Sequence, residues 1–349
     1  MERAKRVFIV GCRRSGTTWT MLLLAQHPDV VALQQIDYLR RFSKLGSWYR
    51  TREEFGACAL TPNLVEGVEA ERMPDGLARV ALPAAQSAER WVELARELVD
   101  DTYARFAALN PGTRALVEQT PEYVRIWEEV LELVPDARFL HIVRDPRSVF
   151  ASQKNAARSW ADPTRFSHDA LAVAREWASE VEHGRAIAAA LPDPERLLEL
   201  RYEDLRGSPE EHLTRLHEWL DLPSDPESRK AAVEACSLER MRGTSHAPRG
   251  FFRKGETEGW RRELSRGEIR TIEYVAGELM RANGYELVNA TPVKPPLKVR
   301  LRGGRERFQK GVARWAWQSD GVLKRGAARV LKVFPGLRKA LLKGIKKPV

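Results

Sequence analysis

Residues 7–19, Val-Phe-Ile-Val-Gly-Cys-Arg-Arg-Ser-Gly-Thr-Thr-Trp, constrain the fold more than any other stretch of this chain. A short apolar run, Val7 to Val10, breaks into a loop bounded by Gly11 and Gly16, and the segment Thr17 to Gln26 reads as a buried helix ending before His27-Pro28. Strand, glycine loop and helix in that order form a phosphate cradle, because loop N–H groups and the positive end of the helix dipole converge on one point. Gly11, Gly16 and Thr18 fit the spacing G-x-x-x-x-G-K-[ST], but Thr17 stands at the lysine position and the cation comes earlier, at Arg14. The loop predicts phosphate chemistry other than ordinary ATP chemistry. The plain alternative is a tight strand-to-helix turn, which has no need of Ser15, Thr17, Thr18 and two arginines together.

Further strands are expected at Val30 to Leu33, Ala115 to Glu118, Arg138 to Val143 and Arg196 to Tyr202. A helix should follow from about Ser148, and Ser208-Pro-Glu-Glu reads as a helix start with proline at the first helical position. Strands alternating with helices predict an α/β fold, a three-layer sandwich around a central, mostly parallel sheet. Residues 38–112 carry weakly periodic helical sequence broken at Pro62, Pro74 and Pro83, as a helical insertion covering a substrate would.

Charge divides the chain. From Ala290 to Val349 there are 17 Lys plus Arg against only Glu306 and Asp320, a net of +15, which leaves residues 1–289 at −5. The expected organisation is therefore one domain over 1–289 and a basic extension over 290–349. In that extension Leu323, Ala327, Val330, Leu331 and Phe334, then Leu337, Leu341, Leu342 and Ile345, follow helical spacing among lysines and arginines. Basic amphipathic helices of this kind bind anionic membrane surfaces. Packing on the body and a nucleic-acid arm are the competing readings, ranked behind the membrane in that order. Cys12, Cys58 and Cys236 are scattered, with neither disulfide nor zinc spacing, which suits a reducing cytoplasm and no metal. The first apolar run is too short for a signal peptide, and no stretch approaches the roughly 20 apolar residues of a membrane span. The expected location is the cytoplasm, peripheral at the inner membrane face.

Two more elements carry cations where an anion would bind. Arg144-Asp-Pro-Arg147 ends a predicted strand, and Ser152 follows Arg144 by eight residues, so a strand-end arginine and a helix hydroxyl could clasp a second phosphate. Taken alone, an Arg-Asp turn is more often a structural ion pair. Phe251 to Trp260 is a glycine-bearing loop with Arg253 and Lys254, ordinarily a solvated charged loop. Three such elements suit a nucleotide with phosphate at both ends.

In this order the elements resemble the sulfotransferases that use 3′-phosphoadenosine 5′-phosphosulfate (PAPS). The first motif is Arg14-Ser-Gly-Thr-Thr-Trp19, the second Arg144 with Ser152, and the third Arg253-Lys254-Gly255 with Trp260; Leu200-Arg-Tyr-Glu-Asp-Leu205 is similar as well. The resemblance covers roughly residues 5–288. It implies that Arg14, Ser15, Gly16, Thr17 and Thr18 hold the 5′-phosphosulfate and that Arg144, Ser152, Arg253, Lys254 and Gly255 hold the 3′-phosphate. Trp19 and Tyr202 would flank the adenine, with Cys236 and Leu238 lining the same base. For the two aromatic residues the bland reading is core packing.

The reaction so implied is in-line transfer of a sulfuryl group to a hydroxyl or amine of a carbohydrate, glycolipid or small-molecule acceptor, without a metal. Arg14 and Ser152 are the catalytic candidates beside the loop. The general base is open: relatives place glutamate after His-Pro-Asp, where this chain has Gln34 and Gln35, and Gln119 stands where bacterial relatives often have lysine. Asp37 is the first candidate and Glu118 the second, since a carboxylate in a strand-end cleft can acquire the raised pKa that base catalysis needs. Two other functions compete: a P-loop nucleotide kinase or ATPase, disfavoured by the missing lysine, and an inactive nucleotide-binding scaffold tethered to membrane.

Overall fold

Five short apolar runs form one sheet: β1 (Lys5–Gly11), β2 (Val30–Gln34), β3 (Ala115–Gln119), β4 (Arg138–Val143) and β5 (Leu197–Arg201). The helices in chain order are α1 (Thr17–Leu24), α2 (Ala88–Ala107), α3 (Trp127–Leu133), α4 (Pro146–Ser159), α5 (Ala170–Ala190), α6 (Tyr202–Gly207), α7 (Pro209–Trp219), α8 (Pro226–Ala235), α9 (Trp260–Glu263) and α10 (Arg266–Ala282). The computed structural model describes residues 3–42, 88–159, 166–237, 239–241 and 257–289. Most of the expected insertion (43–87), Leu238, Arg253, Lys254, Gly255 and the basic extension (290–349) lie outside the described residues.

Every strand pair is parallel, in the order β2-β3-β1-β4-β5. From the central β1 the chain runs out to the edge at β2, returns through β3, and then crosses β1 to build β4 and β5 on the other side. That reversal opens a crevice at the carboxyl ends of β1, β3 and β4, where open α/β sheets bind ligands. Parallel strands covered on both faces read as nearly continuous apolar runs, as Val7 to Val10 and Phe139 to Val143 do.

Alternation along β1 divides the core. Val7 and Ile9 point to one layer, where α1, α6, α7 and α8 supply Leu23, Leu205, Leu213, Leu216 and Ala232. Phe8 and Val10 point to the other, against Val99 and Tyr103 of α2, Val130 of α3 and Tyr123. Each fully buried aliphatic side chain of this kind stabilises the fold by about 1.5–3 kcal/mol over its exposed state. A third cluster joins α4, α5 and α10 through Phe150, Trp177, Ile272 and Met280. From it the Trp177 indole N–H donates to the Arg144 carbonyl at 2.8 Å, fixing the chain just beyond β4.

Several boundaries differ from the sequence expectation. α4 begins at Pro146, two residues before Ser148, because proline fits the first helical position without a lost hydrogen bond. Arg196 sits in a short 3-10 turn and Tyr202 opens α6, so β5 spans only Leu197–Arg201. α1 stops at Leu24, short of Gln26. Ser208 occupies the N-cap of α7 but makes no side-chain cap bond; Pro209, Glu210 and Glu211 define that start.

Candidate active site at the glycine loop

The loop after β1 owes its path to positions where a side chain has no room or the backbone is left-handed. Gly11 has φ 139°, and a Cβ there would run into the Ile142 carbonyl of β4. Gly16 has φ 97°, and its missing Cβ is the space taken by the Tyr202 ring. Arg14 also has a positive φ, 73°, uncommon for a residue with a side chain and costing of order 1–3 kcal/mol. α1 starts directly at Thr17 with no side chain capping it, so its first N–H groups face the loop. Such an uncapped start is able to receive an anion.

Around it the structure brings together three of the predicted cationic and hydroxyl residues. The Arg14 Nε donates to the Ser152 Oγ at 3.1 Å, and the Arg144 Nη1 donates to the Arg14 carbonyl at 3.0 Å. The Arg144 guanidinium lies 4.2 Å above the Tyr202 ring, and its Nε is buried without a partner among the described residues. Ser15 is fully buried, and its hydroxyl has no partner among those residues either. Orphaned donors at this density beside an uncapped helix fit a ligand rich in phosphate oxygens.

The turn's ion pair exists, but Arg147 makes it. Buried Arg147 grips both oxygens of Asp145, donates to Glu273 of α10 at 2.8 Å and lies 3.9 Å from the Trp260 ring. Arg144 is thereby left for the loop. Glu203 backs this arrangement, accepting from the Asp145 N–H at 3.1 Å and from the Tyr285 hydroxyl at 2.9 Å; burial pushes its pKa up.

Trp19, Tyr202 and Cys236 form one wall. The two rings meet edge to face at 6.0 Å, the Trp19 indole donates to the Cys236 carbonyl at 3.0 Å, and Arg206 lies 4.7 Å from the Trp19 ring. All three are also core residues of the α1 layer, so packing and a place beside the loop coincide. Burial pushes the Cys236 thiol up to about 11.

The two carboxylate candidates are placed differently. Asp37, in a left-handed conformation (φ 53°) after β2, pairs through one oxygen with Arg40 at 2.6 Å; its other oxygen is buried without a partner. Glu118 is 1 % exposed and turned to the α2 layer, where the Tyr103 hydroxyl donates to one oxygen at 2.5 Å and the Thr120 hydroxyl to the other at 2.9 Å. Burial raises its pKa against those hydrogen bonds. Gln119 points the other way, to the loop, and its Nε2 donates to the Thr17 Oγ1 at 3.0 Å.

One set of residues escaped the sequence reading. Glu176 and Glu180, a turn apart on α5, hold the outer side of the loop. Arg13 donates to Glu176 at 2.9 Å, Arg125 bonds both carboxylates, and the Cys12 thiol lies against Glu180. Burial pushes the Glu180 carboxyl up to about 7 and, with Glu180 beside it, pushes the Cys12 thiol up. The available signal was the glutamate pair at helical spacing, which also describes any solvated helix face. Among the described residues, no group of three or more His, Cys, Asp or Glu is placed to hold a metal ion.

Residues 6–226 match the sulfotransferase family. The chain is 27% identical over 307 residues to the nodulation protein NoeE of Sinorhizobium fredii, covering 80% of this chain and 65% of that protein. It is 30% identical over 147 residues to the omega-hydroxy-beta-dihydromenaquinone-9 sulfotransferase Stf3 of Mycobacterium tuberculosis, covering 40% of this chain and 35% of that one. The chain thus spans less than two thirds of either relative's length. Among solved structures, the sulfotransferase domain of the Synechococcus PCC 7002 olefin synthase shares the fold, with a TM-score of 0.51 at 17% identity over 82% of this chain and 97% of that domain.

Proposed function

The chain belongs to the sulfotransferase family, and from that premise we propose that it transfers the sulfuryl group of PAPS to a hydroxyl or amine of a carbohydrate, glycolipid or other small-molecule acceptor. The observation that carries this reading is the meeting of Arg14, Ser152 and Arg144 at the uncapped start of α1. Bound there, PAPS supplies the sulfuryl group and a phosphate as leaving group. Arg14 brings positive charge to the loop where that phosphate gains negative charge, the kind of electrostatic stabilisation that dominates such transfers. Thr17, Thr18 and the α1 N–H groups would hold the same end. Arg144 and Ser152, with Arg253, Lys254 and Gly255, would hold the 3′-phosphate, and Trp19, Tyr202, Cys236 and Leu238 the base.

Asp37 is the general base in this proposal, because one of its carboxylate oxygens is buried with no partner among the described residues and can accept a hydrogen bond from the acceptor hydroxyl. Glu118 is the second candidate; it would have to release hydrogen bonds from Tyr103 and Thr120 to serve. Transfer of labelled sulfate from PAPS to an acceptor panel tests the whole reading. With an acceptor in hand, Asp37→Asn is expected to lower kcat by about 100-fold and Glu118→Gln by less than about 10-fold. The reverse order would move the base to Glu118, and no transfer by the intact protein to any acceptor would support the scaffold instead. Tight binding of ATP with magnesium, and none of adenosine 3′,5′-bisphosphate, would support a kinase or ATPase.

The acceptor is proposed to be carried at an anionic membrane surface reached through the basic segment 290–349. That the mycobacterial relative is named for a hydroxylated menaquinone is in keeping with a lipid acceptor. Among the described residues, no helix is long and apolar enough to cross a membrane.

A further inference from the structure

Gln119 is the last residue of β3, and its backbone is locked on both sides: it pairs with Ile9 of β1 and Gln34 of β2, and its carbonyl accepts from the Gln35 N–H at 2.9 Å. The side chain is 1 % exposed. Its Nε2 donates to the Oγ1 of Thr17, the first residue of α1, while its Oε1 is buried with no partner among the described residues. We propose that Gln119 is a positioning residue that sets the direction of the Thr17 hydroxyl, making it a donor to the phosphosulfate; the inference rests on the sulfuryl-transfer reading above.

A threonine hydroxyl has one proton and two lone pairs, and by itself it turns to suit whatever faces it. An amide N–H fixed on one lone pair removes that freedom: the Thr17 proton must then be given to something other than Gln119. Phosphate and sulfuryl oxygens held in the glycine loop are acceptors only, so they match a hydroxyl set in that sense. Turned over, the amide would accept the Thr17 proton and leave lone pairs facing the anion, which the anion's charge disfavours. The unpartnered Oε1 belongs to the same logic. Among the described residues no donor on that side holds the amide in its orientation, so the contact with Thr17 and the charge of an anion in the loop would select it.

A carboxylate at this position reverses the sense of the hydrogen bond, which gives the test. Affinity for adenosine 3′,5′-bisphosphate is measured by calorimetry for the wild type, Gln119→Ala and Gln119→Glu, with thermal melts to establish folding. Gln119→Ala releases the hydroxyl and should weaken binding about 5-fold, the scale of one neutral hydrogen bond. Gln119→Glu should weaken it about 30-fold or more, since the carboxylate takes the Thr17 proton and adds repulsion. The gap between Gln119→Glu and wild type should narrow as pH falls and the carboxyl protonates. A general packing role predicts the opposite order, with the truncation worse than the near-isosteric change. Equal losses, or a Gln119→Glu protein that binds like the wild type at every pH, overturn the proposal. If Gln119→Glu does not melt cooperatively, the cycle Gln119→Met, Thr17→Val and their double variant decides: coupled losses support the orienting role and additive losses refute it. A wild-type protein that binds the bisphosphate no better than adenosine monophosphate sinks the sulfuryl-transfer reading itself, a result distinct from every outcome above.

Discussion

Arg14 combines three properties that rarely coincide in one residue: a left-handed backbone, a carbonyl that receives the Arg144 guanidinium and a side chain that donates to Ser152. The backbone strain is held in place by those contacts, which ties the loop to both β4 and α4. Arg14→Ala keeps the carbonyl and removes the charge, the Ser152 contact and the approach to the Phe166 ring. It should lower kcat by about 100-fold or more, the usual cost of losing a donor aimed at developing charge. Affinity for adenosine 3′,5′-bisphosphate should fall less than about 10-fold, because Arg144 stays in place. Transfer assays and calorimetry on the same preparation check both halves, and equal losses in the two would make Arg14 a simple binding group. At this scale the meeting of Arg14, Ser152 and Arg144 in the candidate site was legible. The loop spacing singled out Arg14, Gly16, Thr17 and Thr18, and the eight-residue interval singled out Arg144 with Ser152. The division of labour between Arg144 and Arg147 was not, because both flank Asp145; only Glu273 and Trp260, distant in sequence, draw Arg147 into the core. Nor did the sequence show that Gln119 and not Glu118 faces the loop; the pleat of β3 sends these successive side chains to opposite layers.

Among the elements, α5 braces the glycine loop although no motif lies on it. Along one stripe Glu176 takes Arg13, Glu180 takes Arg125 and meets the Cys12 thiol, and Gly184 makes room for the His141 ring of β4. The helix thus bears on β1, the loop and β4 together. The groups facing the Glu180 carboxyl are Cys12 from the end of β1, Arg125 from the turn after β3 and Glu176 from its own helix. Burial raises the carboxyl from an ordinary 4.5 to about 7, so the folded chain binds this proton more tightly than the unfolded one. By linkage its contribution to stability is full below pH 4.5 and is lost as pH rises through about 7. Glu180→Gln, which cannot titrate, should therefore show a flatter dependence of unfolding free energy on pH across that window than the wild type. Denaturant melts at a series of pH values measure it, and parallel curves would assign the slope to other buried acids such as Glu118 and Glu203. The strands were readable because apolar runs of four to six residues between turn signals have few other uses. The hold of α5 on the loop was not, since its pattern on paper is that of an ordinary amphipathic helix.

Over the whole molecule the decisive quantity is the distribution of charge. Residues 1–289 carry a net −5 and residues 290–349 a net +15, so the two parts respond oppositely to an anionic surface. If the extension brings the enzyme to such a surface, the body is held there against its own repulsion, and the balance must depend on ionic strength. Each lysine or arginine near an anionic leaflet contributes about 1 kcal/mol at physiological salt. The protein with residues 1–349 should float with vesicles containing phosphatidylserine and stay behind with purely zwitterionic ones. Raising salt toward 1 M, where the screening length shrinks to about 3 Å, should release it. Reversing Lys343, Lys346 and Lys347 to glutamate changes the local charge by six while leaving Leu341, Leu342 and Ile345 in place, and should abolish flotation without touching transfer to a soluble acceptor. Flotation that survives both salt and charge reversal would mean an apolar attachment. No flotation under any condition would leave the extension to pack on protein, and would remove the reason for seeking the acceptor in a membrane.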